Sequence, residues 1–303
     1  MKFKITDNIR YLFRAHILNW IWRGSELRKN IRNDAYSALI KSYLSKYIPF
    51  IRSLHMPELA QKENNKNEKI FSLWLQGIDN APDLIKKCIS SVKSKYNNAY
   101  LLIEEDNLNE YLTLPSFIQD KRNNGQIGAA HYADIVRLAL LNKYGGIWMD
   151  ATLFLTDKIP QSIYNEDFFM FMAAGEYSYV FVQNYFIRSN KGDALLNLWL
   201  ATIYEYWKNE DKAVDYFFAQ YLFQLLVTHN SQAKRLFEKM KKLPGDAPQT
   251  LWTKIGNEPF DESKYQEMCA ASFFQKISYK KRKNFVGEII PGSMADFVIN
   301  GKM

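Results

Sequence analysis

Hydrophobic positions between residues 129 and 144 recur with helical spacing. Ala130, Ala133, Ile135, Val136, Ala139 and Leu140 follow that period, and no Pro or Gly interrupts them. Gly145-Gly146 comes next, and glycine accepts the left-handed backbone in which helices often end. Ile147-Trp148-Met149 is then a short apolar run of strand character, with Asp150 at its end. In open α/β sheets, ligands bind beyond that end of the strands. Asp134 and Arg137 lie three residues apart, so they share one helix face. The unit thus gathers Asp134, Arg137 and Asp150 beside a glycine-permitted turn. Buried Asp and Arg are costly unless they pair with each other or with a ligand. Taken singly, the same residues fit a solvated ion pair and an ordinary turn.

The rest of the chain reads in alternating segments. Residues 1–56 are expected to be helices rich in basic and aromatic residues. There Ile9, Leu12, Phe13, Ile17, Trp20 and Ile21 recur at 3.6 spacing among Arg10, Arg14, Arg23, Arg28, Lys29 and Arg32. Such a stripe either lies on an anionic membrane or packs on the domain, and Trp20 and Trp22 suit a membrane interface. Residues 57–69 are polar and read as a linker. Ile70 to Gly77 reads as a buried strand. Pro82 opens a helix through Ile85, Cys88, Ile89 and Val92. Ala99 to Ile103 is a second strand, followed by an acidic turn at Glu104–Asn107. Phe168–Ala174 and Tyr179–Ile187 read as further strands of the same sheet, joined by a turn over Ala173–Glu176. Helices are expected over Asp193–Trp207 and Val214–His229, with a basic helix over 233–242 and a loop-rich remainder. Strands alternating with helices predict an α/β fold with a mainly parallel central sheet, plus N-terminal and C-terminal helices. The implied division is an N-terminal segment over 1–68, a catalytic domain over 69–230, and a C-terminal part over 231–303 packing on it.

Composition narrows the function classes. The 303 residues can bury a sizeable core in one or two domains. A net charge of +8 favours anionic partners such as nucleotide phosphates, lipid headgroups or nucleic acid. Cys88 and Cys269 stand far apart with no C-x-x-C spacing, and are expected to be reduced, buried thiols. No apolar run approaches a membrane span, and the N-terminus has no signal-peptide core, so a cytoplasmic location is expected.

The central motifs carry a resemblance. Asp134-Ile135-Val136-Arg137, Tyr144-Gly145-Gly146 and Trp148-Met149-Asp150-Ala151-Thr152 resemble the capsular polysaccharide synthesis glycosyltransferases. More distantly they resemble glycosyltransferase family 32 and the large clostridial glucosylating toxins. Leu73-Trp74-Leu75-Gln76-Gly77 is similar to that group's first strand, and the likeness runs to about residue 225. The resemblance implies a GT-A-like nucleotide-sugar-binding domain. It also implies roles for named residues. Asp134 and Arg137 would hold donor-sugar hydroxyls, an Asp accepting and an Arg donating in a fixed fork. Trp74 would stack near the nucleobase, or else be a core tryptophan. Gln76 and Gly77 would line the same pocket, and Trp148 would flank the nucleoside.

Asp150 would ligate Mn2+ or Mg2+, hard cations that neutralise a leaving diphosphate. The family's pattern is Asp-x-Asp, and Thr152 stands at the second carboxylate, so the ligand set expected here is Asp150 and Thr152. Gln183 and Asn184 either reach the sugar or acceptor, or are polar edge-strand positions. Asp215-Tyr216 either contacts a ligand or caps a helix. Lys276 and Lys280–Lys283 either bind phosphates or form a solvated face.

The expected activity is transfer of a hexose, galactose or glucose, from a uridine diphosphate sugar to a lipid-linked oligosaccharide in capsule or exopolysaccharide synthesis. The resemblance implies a retaining reaction at the inner face of the cell membrane, with peripheral attachment to an anionic surface. One alternative modifies protein or lipopolysaccharide core. Another class, a basic nucleic-acid-binding protein, fits the charge, but no recognition fold is visible and the leading reading calls for no nucleic acid.

Overall fold

The computed structural model describes residues 26–57, 68–279 and 289–301. Their element order is α1 (Glu26–Leu44), α2 (Ile48–Ser53), β1 (Ile70–Leu73), α3 (Asp83–Tyr96), β2 (Tyr100–Ile103), α4 (Leu108–Tyr111), α5 (Ser116–Asn123), α6 (Ala129–Tyr144), β3 (Gly146–Met149), β4 (Leu153–Leu155), α7 (Gln161–Tyr164), β5 (Phe168–Met172), β6 (Val182–Ser189), α8 (Ala194–Asn209), α9 (Phe218–His229), α10 (Ser231–Lys239), α11 (Glu262–Ala271), β7 (Phe274–Lys276) and α12 (Met294–Asn300).

Five strands form the central sheet in the order β2-β1-β3-β6-β5. β1 pairs in parallel with both β2 and β3. β6 runs antiparallel to β3 and to β5, so β5 points the same way as β1, β2 and β3. The fold is mixed α/β with a mainly parallel sheet, as the alternation of segments predicts. Successive strand residues serve opposite faces. Phe71, Trp148, Met170 and Ile187 pack with α6, α8 and α9 on one face. Ile70, Ile147, Met149 and Phe169 pack with α3 on the other. A second, two-stranded sheet joins β4 to β7 in antiparallel register, Leu153 opposite Lys276.

The turn between α6 and β3 needs its glycines. Gly145 (φ +68°) and Gly146 (φ +98°) lie in the left-handed region. A Cβ on Gly145 would stand 2.6 Å from the Lys191 nitrogen, and one on Gly146 would stand 2.3 Å from the Lys69 oxygen. The close turn delivers β3 directly from α6, which brings Asp150 back toward Arg137.

Several boundaries differ from expectation. β1 stops at Leu73 because Trp74–Gly77 closes a turn, the Gly77 N–H donating to the Trp74 carbonyl at 3.1 Å. Residues 175–180 form a short 3-10 helix, so β6 begins only at Val182, after Phe181 at φ +73°. α9 begins at Phe218, because the Asp215 carboxylate takes the Phe217 N–H and holds the chain in a turn ahead of the helix. The C-terminal part holds α11, β7 and α12 where loops were expected. Cys88 is buried but Cys269 is only half-buried, and both are free thiols.

In the N-terminal segment, Ile40, Tyr43, Leu44, Tyr47 and Ile51 join the core with α8 and α9. Tyr43 and Tyr47 donate to the buried Glu210 carboxylate at 2.9 and 3.0 Å, and Lys46 pairs with it. Packing on the domain is therefore the role of this part. The stripe from Ile9 to Ile21, Trp20 and Trp22, most of the linker, and Lys280–Lys283 lie outside the described residues. Among the described residues, no helix is long and apolar enough to cross a membrane.

Candidate active site

The site is built where α6 passes the C-terminal ends of β1 and β3. Arg137 is its hub. Its Nη2 lies 3.3 Å from Asp134 Oδ1 and 3.4 Å from Asp150 Oδ1. Its Nη1 donates to the Asn184 carbonyl on β6, and its Nε donates to the Ala133 carbonyl at 3.3 Å. Asn184 then donates from Nδ2 to Asp134 Oδ1 at 2.9 Å, while Gln220 of α9 donates to Asn184 Oδ1 at 3.1 Å. Three elements thus fix the two α6 side chains, both of which are buried.

Asp150 is more open, with its side chain 24% exposed. The Trp148 indole donates to its Oδ1 at 2.9 Å. The Lys276 ammonium donates to its Oδ2 at 3.0 Å and also to the Thr152 hydroxyl. Lys276 is not a free surface lysine. β7 holds it opposite Leu153, and the next residue, Ile277, donates its N–H to the Thr152 carbonyl at 3.0 Å.

The two carboxylates titrate in opposite directions. Burial raises Asp134 from 3.8 to about 6, against the pull of Arg137; Asp150 adds to the rise and Asn184 opposes it. Burial also acts to raise Asp150, but Lys276, Arg137 and the Trp148 hydrogen bond outweigh it and hold it below its ordinary value. Asp150 therefore stays an anion to lower pH than a free carboxylate, and Asp134 takes up its proton as pH falls through about 6.

At the end of β1, Trp74 and Tyr279 meet edge to face with centroids 5.6 Å apart. The Trp74 indole N–H is buried and has no hydrogen-bond partner among the described residues. Ser72 Oγ bonds the Met149 carbonyl at 2.6 Å, which ties the ends of β1 and β3 together. Residues 276–279 thus run from Asp150 to Trp74. One short segment therefore links an anion-holding contact to an aromatic pair.

The other predicted residues divide. Gly77 (φ +79°) supports the turn beside Glu104, whose carboxylate takes the Ile78 N–H. Gln76 is exposed, and its carbonyl accepts from Asn80 at 2.9 Å. Asn184 is in the site. Gln183 is not beside it, because strand alternation turns it to the opposite face, where its Cγ would lie 3.1 Å from a Cβ on Gly245. Neither is an edge-strand residue, since β6 lies between β3 and β5. Trp148, expected to flank the nucleoside, has almost no exposed surface. It is 1% exposed, lies in the core on the α6 face, and orients Asp150. Asp215 accepts from Tyr36 at 2.9 Å and from Phe217 N–H at 2.7 Å, so it secures α1 to the turn ahead of α9 without capping that helix. Tyr216 is 63% exposed and stands within electrostatic reach of Asp150, Asp134 and Arg137, at the rim of the site. Gln220 escapes sequence reading. Its only signal is an amide within the apolar run of α9.

The donor set does not fit a divalent cation. Mg2+ and Mn2+ favour several oxygen ligands, with carboxylates prominent. Here Lys276 already bridges Asp150 to Thr152. Asp134 is buried against Arg137 and Asn184. Among the described residues no cluster of three His, Cys, Asp or Glu could hold a metal.

Over 166 residues the chain is 26% identical to the O-glycosyltransferase PaGT of Phomopsis amygdali, a stretch covering 48% of this chain and 40% of that relative. Among solved structures, the PaToxG glycosyltransferase aligns over 81% of this chain and all of its own length, at 14% identity and a TM-score of 0.34. The match that decides the family extends over residues 21–294, and by it this chain belongs to the capsular polysaccharide synthesis protein family.

Proposed function

We propose that the protein is a glycosyltransferase that moves a hexose from a uridine diphosphate sugar to a lipid-linked oligosaccharide during capsule or exopolysaccharide synthesis. The observation that carries this reading is the short segment 276–279, which joins the Asp150–Lys276 contact to the aromatic pair of Trp74 and Tyr279. A nucleoside diphosphate has matching parts, a flat base and an anionic tail. The base lies on Trp74 and Tyr279, and the diphosphate faces the Lys276 ammonium. The sugar then rests over Asp134, Arg137 and Asp150, whose fixed orientation holds its hydroxyls and presents C1 to the acceptor. The rigid relay from Gln220 through Asn184 to Asp134 favours this use, since preorganised polar groups cost no reorganisation during reaction. Transfer retains the α configuration, and the enzyme works peripherally at the inner face of the membrane, where a lipid-linked acceptor is presented.

The test is a panel of nucleotide sugars offered to purified protein, with hydrolysis and transfer followed by chromatography and product anomers by NMR. UDP-glucose or UDP-galactose should be consumed, and Asp150→Ala should lower turnover about 10²–10³-fold with an unchanged circular dichroism spectrum. Consumption of no nucleotide sugar, or an active Asp150→Ala protein, refutes the assignment.

A further inference from the structure

We infer that Lys276 takes the place of a divalent cation, so that this chain binds a nucleoside diphosphate and transfers from it without metal. The inference rests on the transferase reading but concerns a different property of the site. The Lys276 Nζ lies on Asp150 Oδ2 at 3.0 Å and on the Thr152 hydroxyl, the two side chains that a metal would need. An ammonium has three donors and no acceptor. Two are used on Asp150 and Thr152, which leaves the third for a phosphate oxygen.

Three further observations agree. First, the local charges already balance. Asp134 and Asp150 face Arg137 and Lys276, two anions against two cations. A site with no excess of negative charge has little attraction for a doubly charged ion. Second, both oxygens of Asp150 are engaged, one by the Trp148 indole and Arg137 and the other by Lys276. A cation would have to displace Lys276. Third, the fold holds Lys276 in place. Gln275 is fully buried and accepts the Leu251 N–H at 3.0 Å, and Ile277 bonds Thr152, so the backbone on both sides of the lysine is pinned. Thr152 belongs to this arrangement. A carboxylate at that position would add a negative charge and recreate a metal site, whereas a hydroxyl accepts from the ammonium without adding charge.

In the transfer step, the bond between the sugar C1 and the β-phosphate oxygen breaks, and its electron pair stays on that oxygen. The acceptor hydroxyl oxygen forms the new bond to C1, and its proton passes to the departing phosphate. Lys276 donates a hydrogen bond to the developing charge and neither gains nor loses a proton.

The experiment uses the full-length protein dialysed against EDTA, with UDP binding measured by calorimetry in EDTA and again with Mn2+. Affinity should agree within about twofold between the two. Lys276→Ala should weaken UDP roughly tenfold to hundredfold in EDTA, as loss of a hydrogen bond to a charged group does, and should leave uridine affinity unchanged. Lys276→Arg should retain most of the UDP affinity. The double variant Thr152→Asp/Lys276→Ala should bind UDP more tightly when Mn2+ is added. A wild-type protein that gains tenfold or more in UDP affinity from Mn2+ overturns the inference. So does equal loss of UDP and uridine binding in Lys276→Ala, which would mark a structural lysine. Either result leaves the transferase reading standing. Conversely, a protein that binds UDP equally in EDTA and Mn2+ but turns over no nucleotide sugar refutes the transferase reading alone.

Discussion

Asp134→Asn separates what the site costs from what it does. The wild-type carboxyl is buried, and burial raises it from 3.8 to about 6 although Arg137 lies 3.3 Å away. A carboxyl whose folded value exceeds its unfolded value binds its proton more tightly when folded. Its contribution to stability is full below 3.8 and is lost as pH rises through about 6. By pH 7 the buried anion costs roughly 3 kcal/mol relative to a neutral group. Asparagine is nearly isosteric, carries no charge, and can still accept the Asn184 amide through its own carbonyl. Arg137 keeps Asp150 as a partner.

The Asp134→Asn protein should therefore be more stable than wild type at pH 7, by up to about 3 kcal/mol. The advantage should shrink as pH falls through about 6 and approach zero only below 3.8, where the wild-type carboxyl is protonated in both states. Urea denaturation of both proteins at several pH values reads this, because the carboxyls that do not interact with Asp134 are common to the pair and cancel in the difference. In the same variant, nucleotide-sugar binding should weaken while free UDP binding stays nearly constant. A stability difference that does not change across that pH range would refute the titration. Equal loss of both ligands would make the pair purely structural.

Three other outcomes follow from the contacts. Trp148→Phe keeps the core filled but removes the donor to Asp150 Oδ1, so turnover should fall about tenfold, from roughly 1.5 kcal/mol lost at a charged acceptor, while UDP affinity stays unchanged. Trp74→Ala should weaken UDP binding about tenfold to hundredfold, the range of a base stacked on an aromatic ring, and calorimetry with UDP against inorganic diphosphate should show loss only for the nucleotide. Full-length protein should sediment with anionic vesicles at low salt and release at high salt, since each basic residue near the surface contributes roughly 1 kcal/mol, and deletion of residues 1–25 should abolish it. The deletion stops there because Ile40, Tyr43, Leu44 and Tyr47 belong to the core.

What the sequence disclosed depended on chain distance. Asp134, Arg137 and Asp150 sit on one helix–turn–strand unit, and helical period plus the Gly145-Gly146 turn suffice to bring them together. Local geometry also foretold the buried face of α3, where Ile85, Cys88, Ile89 and Val92 all point inward. The burial of Trp148 was not legible, for a physical reason. β3 is buried on both faces, so alternation carries no polar signal to tell a core tryptophan from a ligand-facing one. Gln183 and Asn184 raised a real alarm, two amides in an apolar strand. The reading of that alarm as an edge position failed because β6 is an interior strand, whose amides must find partners within the fold. Only Asn184 does so in the site.

Lys276 shows where such reading ends and why. It lies 126 residues after Asp150, and in sequence it is one basic residue near a run of others. Nothing local distinguishes it from a solvated charge. What selects it is the pairing of β4 with β7, a contact between a strand that starts just beyond Asp150 and one near the end of the chain. Yet the sequence held a trace of that contact in Thr152. A hydroxyl where the family pattern has a carboxylate was placed with Asp150 in the expected ligand set. Beside an ammonium it is a suitable acceptor that leaves the charge count balanced. The departure and the lysine are explained together, since neither residue makes sense at the site without the other.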